Sequence, residues 1–247
     1  MNSVTLYVLL VVFIATLVRS AFGFGEALVA VPLLALRISV AVAAPLAVLL
    51  SITIAAVIVV QDRQEVHFRS AFWLVLATLP GIPLGLWLLK AADERVVEAI
   101  LAGVIISFSA FSLVARTPYL GSDDRRWLIA FGFAAGVLGG AYGMNGPPLV
   151  IYGALRRWTP PRLRATLQAY FLPASLVGLA GYLSIGLLGR PVMINFLICL
   201  PAALVAIPLG RAINRRIQSR GFLVYIHAGL ILIGLTLLGR ALRGWGV

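Results

Sequence analysis

The sequence predicts an all-α integral membrane protein of two inverted repeats, each a broken, re-entrant helical hairpin followed by three transmembrane helices. Three observations predict it. The composition is 62% hydrophobic and only 11% charged, with mean hydropathy +1.05. Two Gly-rich interruptions recur at half-chain spacing, and the arginines are distributed unevenly between alternate loops. Soluble domains carry about 25% charged residues, so this is the composition of a membrane protein. Uncharged runs at 4–18, 38–60, 70–89, 99–115, 127–155, 165–189, 191–210 and 221–239 lie near the roughly 20 residues that one span requires.

The first element, residues 4–36, is too long for one straight span and too short for two. At 1.5 Å per residue, half of a segment of this kind reaches about 22–25 Å of a hydrocarbon core of roughly 30 Å. A helical hairpin that dips in and leaves by the same face fits, and so does a span followed by a half-helix. Either places the turn at Gly23–Glu26 inside the membrane. The run starts at Val4 without a basic leader region, so it reads as retained structure rather than a signal peptide. The runs at 38–60, 70–89 and 99–115 then supply three crossings. Residues 127–155, interrupted by GAYGMNGPP, open the second half in the same way, and the last three runs complete it.

Repetition supports this division. IPLG occurs at Ile82–Gly85 and again at Ile207–Gly210, each time after another proline, Pro80 or Pro201. GFGEALVAVPLL at 23–34 aligns with the second interruption so that Gly23 falls on Gly139, Ala30 on Gly146 and Pro32 on Pro148. The halves are residues 1–120 and 121–247, one membrane domain together. With three crossings per half, the loops around 61–69, 116–126, 156–164 and 211–220 share one side. They hold 13 of the 20 basic residues, against six on the other side. By the positive-inside rule the first side is cytoplasmic. An odd number of crossings inverts the second half, the arrangement of secondary transporters whose sites lie at broken helices near the midplane.

Non-helical backbone at membrane depth is tolerated only where it is buried in protein or lines a wet cavity. Pro147 suits the first turn of a helix, with Asn145 or Gly146 as its cap. The break therefore starts a short helix whose N-terminus lies in the membrane interior and favours an anion. Gly25 and Glu26 supply the counterpart in the first half. The alternative is that the glycines only permit close helix packing. Arg19 and Glu26 are the charges placed within an otherwise apolar membrane segment, and such charges are functional candidates. Arg19 suits an anionic substrate. Glu26 is either a proton-coupling group or the partner of Arg19 in a structural ion pair. The candidate binding set is Arg19, Gly23, Gly25, Glu26, Gly143, Asn145, Gly146, Pro147 and Gln168. Tyr142, Tyr170 and Ser175, with Ser20, Ser51 and Thr53 in the first half, are further polar candidates.

Other function classes fit poorly. The net charge of +12 lies in loops between spans, so it sets orientation and argues against nucleic acid. Cys199 is the lone cysteine, and His67 and His227 lack partners at ligand spacing, so no metal or cofactor is expected. Trp73, Trp127, Trp158 and Trp245 sit near span ends, as interfacial residues do. Neither Gly-rich turn contains the serine an intramembrane serine protease needs. All four aspartates are in loops, which excludes an aspartyl protease. The expectation is a transporter rather than an enzyme, with a passive anion channel as the alternative.

At GFGEALVAVPLL and GGAYGMNGPPLV the chain resembles the TauE/SafE family of membrane permeases, the sulfite exporter family, over essentially its whole length. Members of that family look like two related halves, each opening on a Gly-rich stretch followed by a proline. Glu26 and Asn145 depart from the fuller glycine clusters of the family. The resemblance implies transport of sulfite, sulfonates or other small organic anions across a bacterial inner membrane by a multi-pass protein. The partners expected are that anion, the lipid bilayer and a proton or other coupling ion, with a homodimer as a candidate assembly.

Overall fold

The computed structural model describes residues 3–61, 68–114, 125–216 and 220–243. They form eleven helices and no strand: α1 (Ser3–Phe22), α2 (Glu26–Ala35), α3 (Val40–Gln61), α4 (Phe68–Thr78), α5 (Gly81–Ala91), α6 (Glu94–Val114), α7 (Arg125–Tyr142), α8 (Gly146–Leu155), α9 (Pro160–Ser184), α10 (Arg190–Arg216) and α11 (Arg220–Arg243). Arg63, His67, Arg116 and Trp245, and the boundary proposed between the halves, lie outside the described residues.

Among the described residues four helices, α1, α3, α6 and α10, are long and apolar enough to cross a membrane, and a fifth span follows if α4 and α5 are taken together. These two meet at a 44° bend. Pro80 causes it by withholding an N–H, and the Thr78 hydroxyl donates back to Leu74 O at 2.8 Å, a bond that bends helices. The corresponding α10 carries Pro201 and Pro208 inside one unbroken helix. Large apolar side chains such as Phe72, Trp87, Leu183, Leu197 and Leu232 stand exposed, as lipid-facing residues do.

Both interruptions break the chain where the glycines fall. Each leaves a full helix followed by a short one: 20 residues then 10 in α1 and α2, 18 then 10 in α7 and α8. The arms are unequal, so of the two forms the sequence allows, the long helix followed by a half-helix is the one adopted. The long arms run about 27–30 Å and the short ones about 15 Å.

The register between the two breaks differs from the sequence alignment. Phe22 ends α1 and Tyr142 ends α7; Glu26 starts α2 and Gly146 starts α8; Ala35 and Leu155 end them. Each pair is 120 residues apart (142 − 22, 146 − 26, 155 − 35). Gly23 and Gly143, also 120 apart, both adopt positive φ, +84° and +65°. Gly23 therefore corresponds to Gly143 and not to Gly139, which lies within α7, four residues earlier.

Packing runs across the two halves. α1 lies along α10, α7 along α4 and α5, α6 along α11, and α3 against α9. Glycines make two of these contacts backbone-close. A Cβ on Gly85 would strike Val137 O and Ala141 N, and one on Gly140 would strike Ile82 O. In the matching contact, a Cβ on Gly210 would come within 2.7 Å of Leu17 O and 3.2 Å of Ala21 N. Leu17 and Ala21 lie 120 residues before Val137 and Ala141, so the two IPLG glycines make equivalent contacts. The far end of α2 is tied down as well. Tyr7 donates to Leu33 O at 2.7 Å, and Arg240 donates to Ala35 O at 3.2 Å while sitting 3.7 Å from Glu98.

Candidate site between the two broken helices

The two breaks face each other at the centre of the protein. Gly23 N–H bonds to Arg19 O at 2.6 Å and closes α1; Gly25, at φ +99°, turns the chain into α2. Both turns lie where only glycine is unstrained. In the second half Gly143 N–H bonds to Gly139 O at 2.9 Å, and Met144 N–H reaches back six residues to Leu138 O at 3.1 Å. The first of these bonds is the one that ends a helix on a left-handed residue.

Asn145 precedes α8, but its side chain makes no cap hydrogen bond. Its amide packs against Gly139, where a Cβ would collide with it, and its Nδ2 donates to the Tyr170 hydroxyl at 3.3 Å. The expected cap is instead part of a chain running from Asn145 to Tyr170 to Thr78, the last two hydroxyls 2.8 Å apart. The two helix N-termini are also unequal. Pro147 and Pro148 remove two of the four N–H groups that α8 would otherwise leave free. α2 keeps its donors, with Glu26 in its first turn.

Arg19 is the hub. Its Nη1 lies 2.6 Å from Glu26 Oε2 and donates to Ser51 Oγ at 2.6 Å; Nη2 donates to Gln168 Oε1 at 3.3 Å. Gln168 Nε2 donates in turn to Gly23 O at 2.7 Å, and Ser175 Oγ donates to Ser51 Oγ at 3.3 Å. The guanidinium also lies over the Phe171 ring, 4.8 Å from its centroid. Arg19 and Glu26 are only 3% and 2% exposed, so the pair is closed to lipid and water alike. A buried ion pair is held by satisfied hydrogen bonds as much as by attraction, and removing one partner strands the other charge. Arg19 Nε and Glu26 Oε1 find no partner among the described residues.

A cavity of about 20 Å³ lies between the breaks, room for a single water-sized group. Of the residues expected in the site, Arg19, Gly25, Glu26, Gly143, Asn145, Gly146 and Pro147 line it. Gly23 and Gln168 stand one layer behind, where Gln168 joins Arg19 to the first turn. Of the softer candidates, Ser51 lines the cavity and Ser175 supports it. Tyr142 points away, donating to Val97 O at 2.9 Å, and Thr53 bonds within its own helix to Leu49 O. Phe24, Met144 and Phe171 line the cavity without having been singled out from the sequence. Tyr182 was also missed; its hydroxyl donates to Gly140 O at 2.8 Å and steadies the end of α7.

At a spacing of 120 residues the charged positions of one side fall on uncharged ones of the other. Arg19 corresponds to Gly139, Glu26 to Gly146, and Ser51 to Phe171. Val48 corresponds to Gln168: Gln168 bonds to Gly23 O, while Val48 packs on Gly143. Gly139 stands at the spacing of Arg19, and the Asn145 amide packs against it. Away from the site, His227 packs against Phe108 with ring centroids 5.6 Å apart, and Cys199 is buried. Among the described residues no three His, Cys, Asp or Glu side chains cluster as metal ligands would.

Known proteins share this chain's pattern. It matches the sulfite exporter TauE/SafE family over residues 8–237. It is 25% identical over 181 residues to a probable sulfite/organosulfonate exporter, TauE, of Cupriavidus necator, covering 68% of this chain and 70% of that protein. It is 27% identical over 172 residues to a probable membrane transporter protein, YunE, of Bacillus subtilis, covering 69% of this chain but only 61% of that relative, less than two thirds of its length. No solved structure matches. A match over nearly the whole chain, to a multi-pass helical protein with apolar spans, places this chain in the sulfite exporter TauE/SafE family of membrane transporters.

Proposed function

We propose that the protein carries a small sulfur oxyanion or sulfonate across a bacterial inner membrane by alternating access, with the substrate held between the α1–α2 and α7–α8 breaks. The observation that carries this reading is the buried Arg19–Glu26 pair lining a small cavity between the two half-helices. Sulfite has four heavy atoms, and the cavity has room for about one. A substrate enters only after the breaks separate, which is the behaviour of a carrier and not of an open channel. Interruption of membrane helices is costly unless it serves a cavity, and the family name and the named relatives supply the class of cargo.

The exchanged packing, with the first helix of each half on the fourth element of the other, supports a reading as two related halves. It also sets which parts move. α1 with α10, and α7 with α4 and α5, are joined at backbone contact by glycines and move as units. Rocking therefore occurs between these exchanged bundles, across α3 and α9, and not between residues 1–120 and 121–247 as blocks. No catalytic step is needed. Glu26 is the group through which a proton or other cation couples to the movement.

The test is uptake of labelled sulfite into proteoliposomes, with and without unlabelled sulfite inside. The expected result is counterflow, faster entry when the inside is loaded, and loss of that entry in Arg19→Ala. Uptake that ignores internal substrate is the outcome that favours a channel.

A further inference from the structure

The hydrogen-bond inventory of the ion pair leaves two atoms over, and they are of opposite kinds. Arg19 Nε is a donor and Glu26 Oε1 an acceptor; neither has a partner among the described residues, and both residues line the cavity. Buried polar atoms are nearly always satisfied, so two exceptions on paired residues that line one cavity call for an occupant. The occupant has to accept from Arg19 and donate to Glu26, as a single water does at the present cavity size and as a substrate has to do in its place once the breaks part.

Charge narrows it further. The pair is neutral as a unit, so no net positive charge remains for a dianion. A second negative charge would face Glu26 Oε1 with no hydrogen between them, beside side chains only 3% and 2% exposed, where repulsion is strong. The prolines of α8 remove two of the N–H groups that could compensate.

Resting on the transport reading above, we propose that the bound species is a sulfur oxyacid of at most one net negative charge that still carries a hydrogen donor. Its oxygens accept from Arg19 Nε, and its own hydrogen is donated to Glu26 Oε1. Hydrogen sulfite and an ammonium-bearing sulfonate share this chemistry. Sulfite without its hydrogen, sulfate and simple alkanesulfonates do not.

The groups around Glu26 leave little else to titrate. α1 brings Arg19, α3 brings Ser51, and α9 brings Gln168, which reaches Arg19. The turn before α8 brings Asn145. α6 and α11 also pack on α2, but their charged pair, Glu98 and Arg240, sits at its opposite end beside Ala35. Tyr7 of α1 bonds to Leu33, near that same end.

Calorimetric titration of the full-length protein in detergent tests the proposal, with sulfite, ethanesulfonate and 2-aminoethanesulfonate between about pH 6 and about pH 8. Sulfite affinity is expected to fall about tenfold for each pH unit above the second ionisation of sulfite, while ethanesulfonate stays flat. 2-Aminoethanesulfonate is expected to bind at least about tenfold more tightly than ethanesulfonate, as a site built to bond a ligand hydrogen rejects the analogue without one. In Glu26→Gln the pH slope and the amino preference both disappear. A slope for sulfite alone names the hydrogen oxyacid as the cargo, and an amino preference alone names the ammonium sulfonate; either supports the proposal. Flat sulfite binding together with equal binding of the two sulfonates overturns it and leaves the transport reading standing. If none of the three binds at any pH, the transport reading falls and this inference with it. The wild-type series decides the matter even if Glu26→Gln does not fold.

Discussion

Arg19 has two jobs that substitution can separate. It is the counter-ion of Glu26 and the donor that faces the cavity. Arg19→Ala strands a carboxylate that is 2% exposed, and breaking a buried pair from one side costs about 3–5 kcal/mol. The expected result is a marked fall in melting temperature by fluorescence-detected size exclusion. Replacing both members, Arg19→Leu with Glu26→Leu, removes the stranded charge. Such double replacements are often neutral or better for stability, so this variant is expected to recover most of the melting temperature while transport stays lost. Recovery of transport would mean the pair is structural only. At this scale much was legible in the sequence, because two charges seven residues apart in an apolar run stand out against a bilayer. Phe171 was not legible. A phenylalanine in an apolar helix gives no local sign that it will lie over a guanidinium brought in from another helix.

At the scale of elements, the glycines divide into those that fix a contact and those that do not. A Cβ on Gly85 runs into the α7 backbone, which cannot step aside as a flexible side chain can, whereas Gly103 on α6 has nothing within 4 Å. Gly85→Ala is therefore expected to destabilise by about 1–3 kcal/mol, the usual cost of overpacking. Gly103→Ala is expected to stabilise by about 0.5–1 kcal/mol through helix propensity. Thermal melts of both variants beside the wild type check the opposite signs. The sequence showed where helices break, because glycines and paired prolines act locally. It misplaced the correspondence of the halves by four residues. Pro32 and Pro148 match as letters, but Pro148 lies in the first turn of its helix and Pro32 in the interior of its own. Equivalence is carried by backbone conformation and by which carbonyl a glycine meets, and neither is written in residue identity. For the same reason the IPLG repeat did not foretell that α10 would stay whole where α4 and α5 bend.

The whole molecule moves, on the transport reading, where packing is polar and adjustable and not where backbones touch. α3 and α9 meet across the site through Ser51 and Ser175, whose hydroxyl oxygens are 3.3 Å apart, and each serine belongs to a different sequence half. If separation of the breaks opens the cavity, these two helices must part, and a covalent bond between them should hold the closed state. Ser51→Cys with Ser175→Cys, in a Cys199→Ala background that removes the lone native thiol, places two sulfurs where the two hydroxyls now meet, 3.3 Å apart, for an oxidant to join. Under oxidation the double variant is expected to lose at least about tenfold in sulfite counterflow, and reductant should restore it, since a carrier that cannot leave one conformation transports nothing however well it is folded. The single-cysteine variants, exposed to the same oxidant, control for the loss of either hydroxyl. Full transport by the cross-linked protein would show that the α3–α9 contact is fixed during the cycle. The moving boundary would then have to lie elsewhere, at the glycine-tight contacts of α1 with α10 and α7 with α5, where packing leaves the least room for it.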